Sequence, residues 1–170
     1  MRKEPAITND PEQDSVHRHL RTTIDAAARN AAADGGPFGA LLVTADGREF
    51  TAVNRVTADN DPTAHAEVCA IRAACSALGT HDLGGATLYS SCEPCPMCLS
   101  AALWARLERV FFAADRHDAA AGGFDDAAFY DFFTATPEQK DALLPVRHVA
   151  LDTRTEPFER WAANAQRTTY

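Results

Sequence analysis

Two short stretches constrain this chain more than anything else in it: Thr63-Ala64-His65-Ala66-Glu67 and Cys92-Glu93-Pro94-Cys95-Pro96-Met97-Cys98. They read H-x-E followed by P-C-x-x-C. Zinc favours imidazole and thiolate ligands, and a catalytic zinc takes three protein ligands and keeps a fourth position for water. His65, Cys95 and Cys98 supply three such ligands. Glu67, two residues past the histidine, can reach the same site without binding the metal. A water acidified by zinc would then have a carboxylate beside it to shuttle its proton. Any fold for this chain must bring those two distant stretches together.

The rest of the composition narrows the field. At 170 residues the chain suits one domain with a real core. Sixteen Lys and Arg stand against 24 Asp and Glu, a net charge of −8, which argues against a nucleic-acid partner. No run of apolar residues is long enough for a membrane span. Residues 1–14 have no apolar stretch of a secretory signal and read as a flexible segment, leaving 15–170 as a single domain. The five cysteines are odd in number and three fall within Cys92–Cys98, which favours metal binding in a reducing, cytoplasmic setting over a disulfide framework.

Along the chain, Val16, Leu20, Ile24, Ala27, Ala28 and Ala31 predict an amphipathic helix over 15–33, stopped by Gly35-Gly36-Pro37. Phe38 to Val43, the Asp46-Gly47 turn and Glu49 to Val56 predict a β-hairpin, with Asn54 near its end. After a loop at 59–63, Asp61 or Thr63 can cap a helix carrying Val68, Ile71, Cys75 and Leu78, with His65 and Glu67 in its first turn. Ala86 to Ser91 predicts a strand. Pro94 then opens a helix to about Arg106, with Cys95 and Cys98 on one face of its first turn. Arg109–Ala114 predicts the next strand, 119–123 a small-residue loop, and 125–133 and 137–144 two helices. Val146 to Asp152 alternates as a fifth strand, before a final helix over 157–165 that holds Phe158 and Trp161. The order α-β-β-α-β-α-β-α-β-α predicts an α/β fold with a five-stranded mixed sheet, parallel in its second half. The abundance of alanine reads as compositional bias.

The paired motifs are the signature of zinc nucleobase deaminases. The chain resembles the cytidine-deaminase-like superfamily and, more closely, its bacterial guanine deaminases. The closer likeness rests on Pro37-Phe38-Gly39-Ala40, the stretch Asn60 to Glu67, the stretch Ser91 to Cys98, and Ala119 to Asp126 ending in Gly-Phe-Asp-Asp. A C-terminal aromatic-bearing helix and a terminal tyrosine are also similar. The resemblance runs from about Val16 to Tyr170; Asp115-Arg116-His117-Asp118 departs from the family's order.

What the resemblance implies is a three-layer α/β/α sandwich, a zinc cofactor, and a homodimer whose C-terminal segment can swap to cover the partner's site. It further implies that guanine, a free nucleobase, is deaminated to xanthine and ammonia. Carried over by position, Asn54 would hydrogen-bond the purine, Phe38 would stack on it, and Ala66 would join the substrate contacts. Asp126, or Asp125, would accept from guanine's N–H groups, and Tyr170 would close the site. Guanine presents N1–H beside its 2-amino group, and a carboxylate is the natural acceptor for that pair.

Each residue also has a plainer reading. Phe38 can be core, Asn54 a strand terminator, Asp125 and Asp126 helix caps, Tyr170 a frayed end, and His117 a surface residue. Cys69 and Cys75 read as core. Other functions compete as well: deamination of cytosine, a pterin or an aminotriazine, a tRNA-type adenosine deaminase, or a structural Cys₃His zinc in which Cys92 closes the site.

Overall fold

The structure, a computed structural model, describes residues 10–169. It divides into two compact units at Ala127/Ala128.

The first unit opens with α1, Pro11–Ala32. The helix starts ahead of the expected boundary because Asp10 caps it, accepting from the Glu12 N–H, and Pro11 takes the first turn. Residues 10–14 are therefore not a flexible lead-in; residues 1–9 lie outside the described range. The buried face of α1 is His19, Thr23, Ala26 and Ala27, while Ile24 is exposed. Close approach to the sheet explains this choice. A Cβ on Gly39 would lie 2.4 Å from the Thr23 carbonyl oxygen, so small residues must face each other there.

A hairpin follows, with β1, Gly39–Val43, antiparallel to β2, Glu49–Val53, around a turn at Asp46-Gly47. Gly47 has φ +83°, the left-handed value such a turn requires. The short helix α2, Val56–Asp59, lies where a strand end and loop were expected, and ends on Asn60 in the left-handed region. Next come α3, Ala66–Leu78, β3, Thr87–Cys92, α4, Pro96–Trp104, and β4, Arg109–Ala114. The sheet order is β2-β1-β3-β4; β1 and β3 run antiparallel and β3 and β4 parallel, so the sheet is mixed.

Side chains of β3 alternate between the two faces, as a pleat requires. Leu88 points into a core with Ala66, Ala70, Ile71 and Ala74 of α3 and Ala102 of α4. Tyr89, on the opposite face, packs its ring 4.6 Å from that of His19 on α1. Helices thus cover both faces of the sheet. Alanine is not mere compositional bias here: Ala40, Ala66, Ala70, Ala74, Ala86, Ala102 and Ala105 all belong to that core.

After β4 the expected small-residue loop is a helix, α5, Arg116–Ala121. Asp115 caps it by accepting from the His117 and Asp118 N–H groups, and Asp118 accepts from the Asp115 N–H. The second unit holds most of α6, Ala127–Thr134, with α7, Pro137–Leu143, and α8, Glu156–Ala163. The sheet has four strands, not five. Residues 146–152 form no strand, and Val146, Val149 and Leu151 are exposed. Alternation supplies an apolar edge, but a strand also needs a hydrogen-bonded neighbour, and the second unit contains none among its described residues.

Candidate active site

Two helix starts carry the expected ligands. His65 is the N-cap of α3 in extended backbone, with φ −67° and ψ 153°, so it precedes the first turn expected to contain it. Neither Asp61 nor Thr63 caps the helix. Asp61 instead accepts from the Thr63 N–H and hydroxyl, and Arg72 bridges Asp61 and Thr63 from two turns into α3. This fastens the loop that delivers His65. Cys95 is the N-cap of α4, and Pro96, not Pro94, opens that helix because its missing N–H costs nothing at the first position.

His65, Cys95 and Cys98 form the one group of metal-ligating side chains found among the described residues. His65 Nδ1 lies 3.6 Å from Cys95 Sγ and 3.5 Å from Cys98 Sγ, and the two sulfurs are 3.6 Å apart. A tetrahedral zinc with ordinary bond lengths has S–S edges of about 3.8 Å and N–S edges of about 3.6 Å. The three donors already stand at the spacing zinc needs, and their chemistry is zinc's.

Electrostatics agree. The Cys98 thiol and the His65 imidazole beside Cys95 bring its thiol down to about 4 despite burial. Cys95 in turn raises the His65 imidazole. Cys98, against Cys95 and buried, is pushed up. Without a cation the pair holds a single negative charge; a dication at the centre of the three atoms allows both thiolates. The first turns of α3 and α4 add their positive dipole ends.

Glu67 lies in the first turn of α3 and is only 5% exposed, which is rare for a carboxylate without a task. Burial raises its pKa. Ser90 Oγ donates to its Oε1 at 2.9 Å, and Cys98 Sγ donates to its Oε2 at 3.4 Å. It sits beside the metal group and outside it.

Cys92 does not complete a closed four-ligand site. It stands apart from the ligand group, its thiol donates to the Asp115 carbonyl at 3.6 Å, and burial pushes it up to about 11. All five cysteines are free, and Cys69 and Cys75 are half-buried.

The remaining expected residues fall as follows. Phe38 is partly buried against the core, and its ring meets that of Phe124 edge-on at 5.0 Å. Asn54 follows the end of β2: its N–H donates to the Phe38 carbonyl, and its Oδ1 accepts from the Val56 N–H at 3.2 Å. That commits Oδ1 to the backbone. Ala66 is fully buried at the start of α3. Asp125 Oδ1 accepts from the Ala127 N–H at 3.0 Å, the bond of a helix cap. Asp126 is half-buried, its carboxyl raised by burial and by the Cys95 charge, and it acts in turn on His65. Asp126 lies on the stretch whose Phe124 packs on Phe38. His117 is exposed, and Tyr170 lies outside the described residues.

Several contributors escaped the sequence reading. Asn30 Nδ2 donates to the Gly36 and Asn54 carbonyls at 2.8 and 2.9 Å, tying α1 to both sides of the Phe38 loop. Ser91 Oγ accepts from the Gly39 N–H at 3.0 Å. Arg116 clasps Glu93 through its backbone N–H and guanidinium, docking α5 against the turn before Cys95 and holding the Glu93 carboxyl below its usual range. Two adjacent serines inside a wholly buried strand were the available signal for Ser90 and Ser91.

Residues 13–114 match the family described as the cytidine and deoxycytidylate deaminase zinc-binding region. The chain belongs to this family. It is accordingly a zinc-dependent hydrolase, and the three ligands described above are where its zinc fits. The enzyme is 46% identical over 136 residues to a guanine deaminase of Bacillus subtilis, covering 80% of its own chain and 86% of that protein. A crystal structure of guanine deaminase from Bacillus subtilis superposes with a TM-score of 0.85 at 44% identity, covering 91% of this chain and 98% of that one. A tRNA-specific adenosine deaminase of Agrobacterium fabrum is 49% identical over 82 residues, 48% of this chain and 53% of that protein.

Proposed function

We propose that this enzyme removes the amino group of free guanine, giving xanthine and ammonia. The observation that carries the reading is the Glu67 carboxylate buried beside the His65, Cys95 and Cys98 group, with the half-buried Asp126 on the stretch whose Phe124 packs on Phe38. The extensive likeness to a guanine deaminase supports it.

Bound zinc would supply an acidified, polarised water. Glu67 takes the proton of that water as its oxygen bonds to C2 of guanine. It gives that proton to ring N3, then takes the remaining proton of the new C2 hydroxyl and passes it to the amine, so that the C2–N bond breaks, C2=O forms and ammonia leaves. Asp126 accepts from N1–H and the 2-amino group, and we assign it this role over Asp125, whose carboxylate is occupied as a cap. Asn54 Nδ2 donates to an acceptor of the ring, Phe38 stacks on its face, and Ala66, packed in the core, supports this face from the start of α3. Cytosine and adenine lack an N1–H beside the reacting amine and would leave the Asp126 charge poorly paired.

We extend the proposal to the assembly. The enzyme works in the cytoplasm as a homodimer, with residues 15–170 as one functional domain whose C-terminal segment crosses to the partner, so that Tyr170 closes the partner's site. What supports this is that none of residues 128–169 is buried, while Phe129, Phe133, Val149 and Phe158 are each more than 60% exposed. A segment with that much apolar surface needs cover. The described residues hold no helix long and apolar enough to cross a membrane.

The test is ammonia release by zinc-loaded protein from guanine, guanosine, adenine, cytosine, cytidine, ammeline and a tRNA anticodon arm. Free guanine turned over well above the others is the expected result. Activity confined to another amine would overturn the substrate, and activity only on the tRNA arm would favour the adenosine reading, which the net charge of −8 opposes.

A further inference from the structure

We propose that Ser90 is a positioning residue for Glu67, holding the carboxylate so that Oε2 alone carries the proton. The proposal rests on the reading of Glu67 as proton carrier given above.

Ser90 lies on β3 between Ala40 of β1 and Phe112 of β4, and is 1% exposed. A hydroxyl at the middle of a buried sheet is costly unless it is hydrogen-bonded. Alanine would fill almost the same volume with no such demand. The Ser90 hydroxyl spends its hydrogen on Glu67 Oε1, at 2.9 Å.

The terminal torsion of a glutamate is broad and nearly two-fold, so an untethered carboxylate presents either oxygen, in a range of orientations. Ser90 removes that freedom. With Oε1 on the hydroxyl, Oε2 is the oxygen turned to the ligand group, 3.4 Å from Cys98 Sγ. A zinc held by His65, Cys95 and Cys98 would take Cys98 as a thiolate with no hydrogen to donate, and the bond from Ser90 to Oε1 does not depend on it. The two oxygens therefore have different duties, set by one side chain on a neighbouring strand. Ser91 shows the contrast: on the opposite face, its oxygen accepts from the Gly39 backbone and holds the Phe38 loop, not a catalytic group.

The experiment compares zinc-loaded wild type with Ser90→Ala and Ser90→Thr. Ser90→Ala should retain zinc and its melting temperature within a few degrees, keep KM within about threefold, and lose roughly tenfold to a hundredfold in kcat. Ser90→Thr, which keeps the hydroxyl, should recover most of that loss. A readout independent of turnover is the Glu67 carboxylate in crystal structures of the zinc-loaded proteins. It should have one orientation in wild type and Ser90→Thr, and be turned or split in Ser90→Ala. Should Ser90→Ala not fold, Ser90→Cys, with a weaker donor, takes its place and should show an intermediate loss.

Wild-type kcat in the alanine variant, or an unchanged Glu67 orientation there, overturns the proposal. So does a loss that follows melting temperature and is not restored by threonine. If guanine is not turned over but another amine is, the same kcat ratios are read on that amine, and the substrate assignment falls while Ser90 is still judged. If no amine is turned over, the carboxylate orientation decides alone.

Discussion

Glu67→Gln separates metal binding from proton transfer in a single atom. Glutamine keeps the shape of the side chain, and its carbonyl oxygen can still accept from Ser90 Oγ in place of Oε1. Its amide nitrogen falls where Oε2 stands, 3.4 Å from Cys98 Sγ, and donates well to a thiolate. The fold and the three ligands are therefore preserved, and removing a buried carboxylate relieves a desolvation cost. What is lost is the carrier. General acid–base catalysis contributes roughly 10²–10⁴-fold, and at 1.36 kcal/mol per decade the barrier rises by about 2.7–5.4 kcal/mol. The assay has three arms: zinc per chain by mass spectrometry, kcat and KM by the absorbance change from guanine to xanthine, and melting temperature. Zinc should stay near one per chain, KM within a few-fold, and melting temperature equal or higher, while kcat falls at least a hundredfold. Loss of half the zinc would make Glu67 a ligand, and a fall in kcat of less than tenfold would remove it as proton carrier.

Asp126→Asn sets an amide donor against one of guanine's two donors, so KM for guanine should rise roughly tenfold to a hundredfold with zinc content unchanged; an unaltered KM would remove Asp126 as the reader. Gly39→Ala would press a Cβ within 2.4 Å of the Thr23 carbonyl oxygen and 2.9 Å of the Ala27 nitrogen, both backbone atoms that cannot swing away. The cost should be about 1–3 kcal/mol, or roughly 2–12 °C in melting temperature, read by scanning calorimetry. Cys92→Ser should keep zinc and change the alkaline stability profile. The folded thiol holds its proton to about 11 against 9.0 unfolded, so wild type loses stability as pH rises through that window, by at most about 2.7 kcal/mol. The serine variant lacks that component; denaturation curves at pH 9 and 11 that stay parallel for the two proteins would refute it.

How much could be read from sequence depended on the range of the interactions involved. The His65, Cys95 and Cys98 group, the hairpin and β4 at Arg109–Ala114 were legible because short motifs and local periodicity specify them. Helix α5 was missed because its alanines resemble a loop, although the Asp115-x-x-Asp118 capping pair was in plain view. The buried face of α1 was misjudged because hydrophobicity pointed to Ile24 while close approach to Gly39 selected Thr23 and Ala26. The expected fifth strand shows the same limit from the other side: alternation describes a face, and pairing needs a partner that the local sequence does not contain. Asn30 acts on Asn54 from the preceding helix, and Ser90 on Glu67 from across the sheet; no spacing rule links either pair.

The boundary at Ala127 also has a meaning in time. Every residue of the metal-binding group, the carboxylate beside it and the serine bonded to that carboxylate are encoded before it. A ribosome making this chain has translated every residue of the zinc centre before it begins the last two helices. The order of synthesis therefore puts the metal-binding residues first and the apolar C-terminal helices last.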